Sequence, residues 1–216
     1  SLVNIINKDK KRFEVVLLSA QKNFNTLLNQ AKILNVKNLI ITDNNSYHSL
    51  LKKNKNKNIK IYKNYNDLNK ILIKKVDYVM NSISGIQGLK PTLQIIKYSK
   101  KIAIANKESI ICGWNLINNL LKKNKTEFIP IDSEHFSIHK LIKNTSLKNI
   151  EKIFITASGG PFLNTKISSF KNITIKKAIK HPNWSMGRKI SIDSSTLINK
   201  VYELIEAKKI FNLSYS

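Results

Sequence analysis

The sequence predicts an α/β fold with a Rossmann-like parallel sheet that carries helices on both faces. Two observations indicate this class. Over the first two thirds of the chain, short runs rich in β-branched residues alternate with amphipathic stretches, an order typical of βαβ units. Apolar residues make up 42% of the chain, which favours a packed globular structure over disorder. Because ligands of such sheets bind at the carboxyl ends of the strands, functional residues are expected where the predicted strands end.

The predicted elements alternate until about residue 132, where the pattern changes. Strands are predicted over residues 13–20, 38–43, 59–62, 77–82, 101–106, 127–132 and 152–158. Helices are predicted over residues 1–8, 25–35, 46–53, 65–73, 89–98, 109–123 and 194–211. In the last helix, the expected apolar side consists of Leu197, Val201, Leu204 and Ile205.

The beginning of the chain lacks the strand and the glycine-rich turn with which a doubly wound domain normally opens. The sequence has six glycines, and none of them forms a G-x-G-x-x-G motif. Two alternatives follow. Either the fold does not bind a dinucleotide, or its first strand and turn precede residue 1.

The net charge of +25 raises the alternative of a basic nucleic-acid-binding module. The 38 basic residues include only two arginines, Arg12 and Arg188, whereas base readout favours arginine and single-strand binding needs interleaved aromatic residues. A solvated lysine-rich surface is therefore favoured. Cys112 is the only cysteine, so an internal disulfide is impossible and a reducing, cytoplasmic compartment is expected. No apolar run reaches the roughly eighteen residues of a membrane span.

Acidic residues number only 13, so their placement is informative. Asp132 and Glu134 follow a predicted strand, and in an extended chain these i and i+2 side chains would point to the same side. Two adjacent carboxylates are favourable when a cation lies between them, and oxygen ligands suit Mg²⁺ or Mn²⁺. The alternative is a helix start, with Asp132 or Ser133 as the cap and Glu134 in the first turn.

The last predicted helix offers a third carboxylate. Asn199 and Glu203 are four residues apart and share a face, and Lys200 is three residues from Glu203. Glu203 could complete a metal site, while the amide and the ammonium group could bind phosphate oxygens. The alternative is a surface ion pair between Lys200 and Glu203.

Three further segments carry candidate site residues. Ser158, followed by two glycines, could expose backbone N–H groups to an anion, although many such turns are structural. The segment 181–189 places His181, Trp184, Met186 and Gly187 close together without helical periodicity, which indicates a lid or a stacking surface, or alternatively a structural histidine and a buried tryptophan. Residues 106–108 follow a predicted strand at its ligand-binding end, but could equally be a charged helix start.

Four strings in these regions resemble one known family. They are ANKES at 105–109, PIDSEH at 130–135, SGGPF at 158–162 and HPNWSMGRKISIDSSTLINK at 181–200. In this order they resemble the 1-deoxy-D-xylulose 5-phosphate reductoisomerase family, and the last string is long enough to be highly specific. The resemblance covers essentially the whole chain and is weakest before about residue 77.

The resemblance implies an enzyme that rearranges the carbon skeleton of deoxyxylulose phosphate and reduces it with NADPH to methylerythritol phosphate. The implied ligands of Mn²⁺ or Mg²⁺ are Asp132, Glu134 and Glu203. The implied substrate contacts are Lys107, Ser133, Glu134, Ser158, His181, Ser194, Asn199, Lys200 and Glu203. The implied NADPH contacts are Lys22, Asn23, Asn106, Glu108, Met186 and Gly187. The residues implied to take part in catalysis are Lys107, Glu134, His181 and Trp184, with Trp184 on a mobile lid.

The resemblance also implies a domain arrangement. An NADPH-binding domain is expected over residues 1–131, and the first part of a catalytic domain over residues 132–216. Because the family's glycine-rich turn would precede residue 1 and its remaining domains would follow residue 216, the chain is expected to be a fragment that is inactive by itself. The complete protein is expected to be a homodimer in the bacterial cytoplasm or plastid stroma. It is expected to act on a small sugar phosphate and to bind neither nucleic acid nor membrane.

Overall fold

The computed structural model describes residues 2–181 and 187–213. The strands are β1 (Leu17–Ala20), β2 (Asn38–Ile41), β3 (Lys60–Tyr62), β4 (Val76–Asn81), β5 (Ser99–Ile104) and β6 (Glu127–Pro130). The α-helices are α1 (Leu2–Lys8), α2 (Phe24–Ile33), α3 (Asn44–Lys53), α4 (Leu68–Ile71), α5 (Leu89–Ile95), α6 (Lys107–Asn124), α7 (Ser133–Ile142), α8 (Ile175–Ala178), α9 (Arg188–Ser195) and α10 (Ile198–Phe211). Short 3₁₀ helices cover Tyr65–Asp67, Ile86–Gly88, Ile96–Tyr98, Leu147–Asn149 and Ile167–Asn172.

The described strands form two three-stranded sheets, ordered β1-β2-β3 and β4-β5-β6. Strand β2 is parallel to both neighbours, with Leu39 opposite Leu18 on one side and Ile61 on the other. Strands β5 and β6 are also parallel, with Ile102 opposite Phe128. A helix connects each parallel pair, as the βαβ pattern requires. The predicted α/β class is therefore confirmed.

The chain divides into two compact units, the first comprising residues 1–77 with 97–99 and the second comprising residues 78–96 with 100–216. In the first unit, β2 and the inner faces of α2 and α3 form the core. Leu39, Ile41 and Leu50 have no exposed surface, and Leu28 is 4% exposed. This unit matches the predicted alternation of strands and helices, although β1 begins at Leu17 rather than at residue 13.

The second unit is organised around α6 and α10. Helix α6 buries Ile110, Trp114 and Ile117, and the indole ring of Trp114 meets the Phe128 ring edge-on at 5.2 Å. Helix α10 packs against α6, α7 and α9. Since α6 follows β5 and α7 follows β6, both helices begin at the carboxyl end of a strand of the same sheet. Their first turns are therefore placed where ligands bind in sheets of this kind.

Three predictions about the last third of the chain are wrong. Residues 152–158 form no strand; instead, Ile153 and Ile155 pack against a small cluster of Ile138, Ala207 and Phe211. Their alternating apolar pattern therefore reflects burial against helices rather than strand pairing.

The predicted helix over residues 194–211 is two helices. They are separated at Leu197, whose φ of 61° is left-handed and interrupts helical hydrogen bonding.

The apolar side predicted for the last helix is also wrong. Leu197, Val201 and Leu204 are about half exposed, whereas α10 buries Glu203, Glu206, Ala207 and Phe211. The reason lies in tertiary contacts, because the two carboxylates face an ammonium group from α6. Within residues 2–181 and 187–213, no helix combines the length and the apolar character that a membrane crossing needs.

Candidate metal and substrate site

The first two acidic residues of the site lie at the junction of β6 and α7. Asp132 caps the amino end of α7, and its Oδ1 accepts a hydrogen bond of 3.4 Å from the backbone N–H of Glu134. Glu134 lies in the first turn, where its Oε2 accepts a hydrogen bond of 2.6 Å from the Ser133 hydroxyl. The helix-start alternative is thus confirmed, and the extended geometry expected for residues 132–134 is wrong.

Helix α10 adds Glu203, which is 2% exposed. One ligand oxygen from each of Asp132, Glu134 and Glu203 lies within 4.8 Å of the other two. The three carboxylates therefore converge even though the chain is helical after Asp132. Burial also removes the alternative of a surface ion pair for Glu203.

Lys107, the first residue of α6, neutralises part of this cluster. Its Nζ donates to Asp132 Oδ2 and lies 3.2 Å from Glu203 Oε1. Burial acts to lower the pKa of Lys107, but the charge and hydrogen bond of Asp132, together with the charges of Glu206 and Glu203, outweigh it. The net effect is a raised pKa, so Lys107 is a permanently charged ammonium group at neutral pH.

A second cation approaches from α10 itself. Lys200 Nζ lies 2.8 Å from Glu134 Oε1 and forms an ion pair with Glu203, while the Asn199 amide donates to Glu203 Oε1 at 2.5 Å. Burial acts to lower the pKa of Lys200, and its bonds to the two glutamates raise it above the ordinary value. Lys107 and Lys200 together balance much of the negative charge of the three carboxylates.

Asp132 and Glu134 respond oppositely to this environment. Burial and a hydrogen bond with Glu134 raise the pKa of Asp132. Burial also acts to raise the pKa of Glu134, but hydrogen bonds from Asp132, Lys200 and Ser133 overcome it and hold the pKa below its usual range. Two acidic groups this close ionise together only if positive charge is supplied.

Two residues of the site were not predicted from the sequence. His135 is 1% exposed, and its Nε2 donates to the Glu203 backbone carbonyl at 2.8 Å. Glu206 is 2% exposed, with Oε2 3.7 Å from Lys107 Nζ and 3.9 Å from His135 Nδ1. Burial raises the pKa of Glu206 to about 8. The available signal was spacing, because Glu206 follows Glu203 by three residues and so shares its face.

Ser158 and His181 form a second pair within the same unit. The Ser158 hydroxyl lies 3.0 Å from Nε2 of His181. The residue His181 is buried, with 8% of its surface exposed. Gly160 adopts a φ of 70° and packs against the backbone carbonyl of Ser194, leaving no room for a Cβ atom. These contacts bring the loop residues Ser158 and His181 together and place the turn after Ser158 against Ser194, near the end of α9.

The predicted NADPH contacts are dispersed along the chain. Lys22 and Asn23 follow β1 in the first unit, where Asn23 caps α2 by accepting from Thr26 N at 3.1 Å. In the second unit, Asn106 caps α6 and donates its amide to Gly85 O at 2.6 Å. Glu108 is paired with Lys189 at 3.0 Å. Burial acts to raise the pKa of Glu108, but the hydrogen bond from Lys189, together with its charge, helps to lower it below the ordinary value.

Gly187 caps the amino end of α9. Trp184 and Met186 lie outside the described residues, so the predicted lid stays a prediction.

The donor set fits a hard divalent cation. Asp132, Glu134 and Glu203 offer only carboxylate oxygens, which Mg²⁺ and Mn²⁺ prefer. A second group of Asp132, His135 and Glu206 also lies within 4.8 Å. It shares Asp132 but includes an imidazole, which suits softer metals better. The all-oxygen group is therefore the better match to the predicted metal.

Comparison with family models bears directly on these residues. A model described as 1-deoxy-D-xylulose 5-phosphate reductoisomerase matches residues 1–113, and one described as the C-terminal domain of that enzyme matches residues 128–211. The chain belongs to the 1-deoxy-D-xylulose 5-phosphate reductoisomerase family. The second match covers Asp132, Glu134 and Glu203, and the resemblance inferred from the four strings is confirmed.

Individual reductoisomerases are similar over the whole chain. The relative from Pelagibacter ubique is 58% identical over 217 residues, covering 100% of this chain and 56% of the relative. The relative from Wolbachia pipientis wMel is 42% identical, covering 98% and 54%. This chain thus spans about half the length of the curated reductoisomerases that it matches.

Solved reductoisomerase structures share the fold. The Zymomonas mobilis enzyme in complex with NADPH has a TM-score of 0.85 and 32% identity, covering 98% of this chain and 55% of that chain. A complex with NADPH, fosmidomycin and magnesium has a TM-score of 0.86 and 34% identity, covering 99% and 55%.

Proposed function

We propose that this chain forms part of an NADPH- and divalent-metal-dependent reductoisomerase that converts 1-deoxy-D-xylulose 5-phosphate into 2-C-methyl-D-erythritol 4-phosphate. The observation that carries the proposal is the convergence of Asp132, Glu134 and Glu203 within 4.8 Å in a chain of this family. Related solved structures in complex with NADPH and magnesium support it.

The three carboxylates would hold Mn²⁺ or Mg²⁺. When bound, such an ion supplies Lewis acidity that polarises a carbonyl group and favours both rearrangement and hydride attack. The chain's own contribution is to fix the three acids. Asp132 and Glu134 are fixed by the capped start of α7, and Glu203 by its bonds to Asn199 and Lys200. Fixed ligands reduce the reorganisation needed for the reaction.

Lys107 and Ser133, beside the acids, would bind and orient the substrate. Lys107 is charged and partly buried, so it can donate hydrogen bonds to substrate oxygens that lie near the carboxylates. Ser133 lies in the first turn of α7, where backbone N–H groups also favour anionic oxygens. These groups orient the reacting carbons, an effect that lowers the barrier without new bonds.

The phosphate group of the substrate would be held by a further set of residues. The proposed set is Ser158, Ser194, Asn199 and Lys200, with His181 orienting the Ser158 hydroxyl through their contact of 3.0 Å. Binding energy from a remote phosphate can be used to position the reacting part of the molecule. Trp184 and the surrounding segment would cover the substrate and exclude water from a reactive aldehyde.

The remaining roles complete the proposal. NADPH would contact Lys22, Asn23, Asn106, Glu108 and Gly187, with Met186 near its nicotinamide ring. The complete protein would be a homodimer in the bacterial cytoplasm or plastid stroma, without nucleic acid as a partner.

The test is an assay of the protein made from its complete gene. NADPH oxidation should require both deoxyxylulose phosphate and Mn²⁺ or Mg²⁺, and NMR should identify methylerythritol phosphate as the product. Reduction of the substrate without rearrangement would contradict the proposal in favour of an ordinary sugar-phosphate dehydrogenase. The absence of any metal-dependent NADPH oxidation would also contradict it.

A further inference from the structure

Glu206 is a buried carboxyl group with an unsatisfied oxygen. It is 2% exposed, and its Oε2 accepts no hydrogen bond from any described residue. The nearest ammonium group is that of Lys107, at 3.7 Å, which is within ion-pair range but too long for a hydrogen bond. Burying a carboxyl oxygen without a partner is unfavourable. Glu206 therefore has an ion-pair partner in Lys107, but this oxygen accepts no hydrogen bond of ordinary length.

Lys107 contacts two of the carboxylates that would bind a metal ion. Its Nζ donates to Asp132 and lies 3.2 Å from Glu203, and both carboxylates belong to the all-oxygen metal group. A divalent ion held by those carboxylates would repel an ammonium group at this position. A displaced lysine needs a counter-charge close by, because a buried ammonium group without one is strongly unfavourable. Its approach in turn favours the ionised form of the carboxyl group that receives it.

The structure provides space for this movement. A cavity of about 120 Å³ is lined by polar groups of Lys107, Asp132, His135 and Glu206 and by apolar residues that include Ile110 and Ile210. Moving Nζ from 3.7 Å to an ordinary charged hydrogen bond of about 2.8 Å needs a shift on the order of 1 Å. The lysine stem has enough rotatable bonds to make it.

His135 does not compete with Lys107 for this oxygen. Its Nε2 already donates to the Glu203 carbonyl, which leaves only Nδ1 towards Glu206, at 3.9 Å. This distance is beyond hydrogen-bond range, and the bond to the Glu203 carbonyl holds the ring in place. Of the groups near this oxygen, the Lys107 ammonium is therefore the one able to donate to it.

We propose that Glu206 is a positioning residue that receives the ammonium group of Lys107 when a divalent metal ion binds Asp132 and Glu203. The inference rests on the proposed function, because it requires the metal site. Lysine and metal ion compete for the same carboxylates, and Glu206 reduces that competition by giving the lysine a second place to bind. Lys107 then stays charged within the site, where it can contact the substrate.

The test uses the protein made from its complete gene, in the absence of substrate. Its affinity for Mn²⁺ is measured by electron paramagnetic resonance, which detects the free ion. Four forms are compared: wild type, Lys107→Met, Glu206→Gln and the double variant. Removing the lysine should tighten Mn²⁺ binding. Glu206→Gln should weaken it by about tenfold in wild type but by less than about twofold in the Lys107→Met background, since residues that act together are not additive. Glu151→Gln is the charge-matched control, because its side chain is 88% exposed, and it should leave the affinity unchanged.

Other outcomes separate the inference from the proposed function. Equal weakening by Glu206→Gln in both backgrounds would mean that Glu206 acts through its own charge, and would overturn the inference. Unchanged affinity in Glu206→Gln would do the same. If wild type binds no Mn²⁺, the metal site of the proposed function fails and the inference fails with it.

A measurement on the wild-type protein does not depend on the folding of the Glu206 variant. NMR of the lysine ammonium groups, with the Lys107 signal identified by its loss in Lys107→Met, should show a shift when Mg²⁺ saturates the site. A Lys107 signal that does not respond to Mg²⁺ would overturn the inference.

Discussion

Lys200 Nζ lies 2.8 Å from Glu134 Oε1, and the same ammonium group is paired with Glu203. One lysine of α10 therefore connects the first turn of α7 to the buried face of its own helix. With Lys107 on the other side of the cluster, the protein supplies its own cations to three converging carboxylates. The two lysines therefore offset much of the charge of the proposed metal ligands, which makes the charge balance the property to test.

Replacing Glu203 by Gln should weaken Mn²⁺ binding by at least about tenfold, because loss of even supporting groups around metal ions has effects of that size. The amide keeps the shape of the side chain, so the protein should still fold. Isothermal calorimetry of Mn²⁺ binding and thermal unfolding measure the two properties separately. Glu127→Gln, which removes an exposed partner of Lys101, is the control. Unchanged Mn²⁺ affinity in Glu203→Gln would remove Glu203 from the metal site.

Glu206 should make the metal-free protein less stable as the pH rises. Its pKa in the folded protein is raised to about 8 from the ordinary value of 4.5, so the folded state holds a proton that the unfolded chain releases. Unfolding free energy should therefore fall between about pH 4.5 and about pH 8, by an amount on the order of a few kcal/mol, and should lose this dependence above that range.

Urea unfolding near pH 5 and pH 8 checks this dependence on pH. The variant Glu206→Gln should show a smaller fall than wild type, whereas Glu151→Gln, at an exposed position, should retain the wild-type fall. An identical pH dependence in wild type and Glu206→Gln would show that the buried carboxyl is not the source.

Gly160→Ala should destabilise the protein by roughly 1–3 kcal/mol, since it combines strained backbone with a close contact. The φ of Gly160 is 70°, and an added Cβ would lie 2.6 Å from the Ser194 carbonyl oxygen. Gly187→Ala is the matched control, because nothing lies within 4 Å of its Cβ position. Thermal unfolding of both variants measures the difference. Equal stability of the two would mean that the contact between Gly160 and Ser194 is not maintained in solution.

Ser158→Ala should raise KM for deoxyxylulose phosphate by about tenfold or more, the effect expected when a hydrogen bond to a charged group is lost. The reduction in kcat should be smaller, because the proposed contact is to the phosphate rather than to the reacting carbons. Ser137→Ala is the control, since the exposed Ser137 hydroxyl donates to the Ser133 carbonyl within α7. Steady-state NADPH oxidation gives both constants. A KM equal to that of the control would exclude Ser158 from phosphate binding.

The net charge of +25 predicts nucleic-acid binding that is weak and falls steeply with salt. Fluorescence anisotropy with a labelled duplex, at salt concentrations from about 0.05 M to about 0.2 M, should show affinity declining by orders of magnitude. Tight binding at the higher salt concentration would favour the nucleic-acid alternative over the enzyme.

The fold of the first unit was predictable because its signals are local. The strands β2 and β3 and the helices α2 and α3 appear where the apolar patterns placed them, within a few residues. The apolar pattern predicted a strand wrongly over residues 152–158, where the alternation of apolar residues has a different cause. Ile153 and Ile155 alternate as in a strand, but helices bury them. Periodicity records that a side chain is buried, and it does not record what buries it.

The sequence by itself determined the family and the metal-ligand candidates. The strings containing Asp132, Glu134 and Glu203 are specific in their order, and acidic residues are scarce enough to make these three conspicuous. Tertiary structure alone decided which side of α10 is buried. On hydropathy the inner side should have been Val201 and Leu204, yet both are about half exposed.

The buried side instead carries Glu203 and Glu206, because Lys107 at the start of α6 supplies the compensating charge. A charged side chain can be buried only beside a partner of opposite charge. Lys107 lies 96 residues from Glu203 in the sequence, so no local pattern could have revealed this pairing.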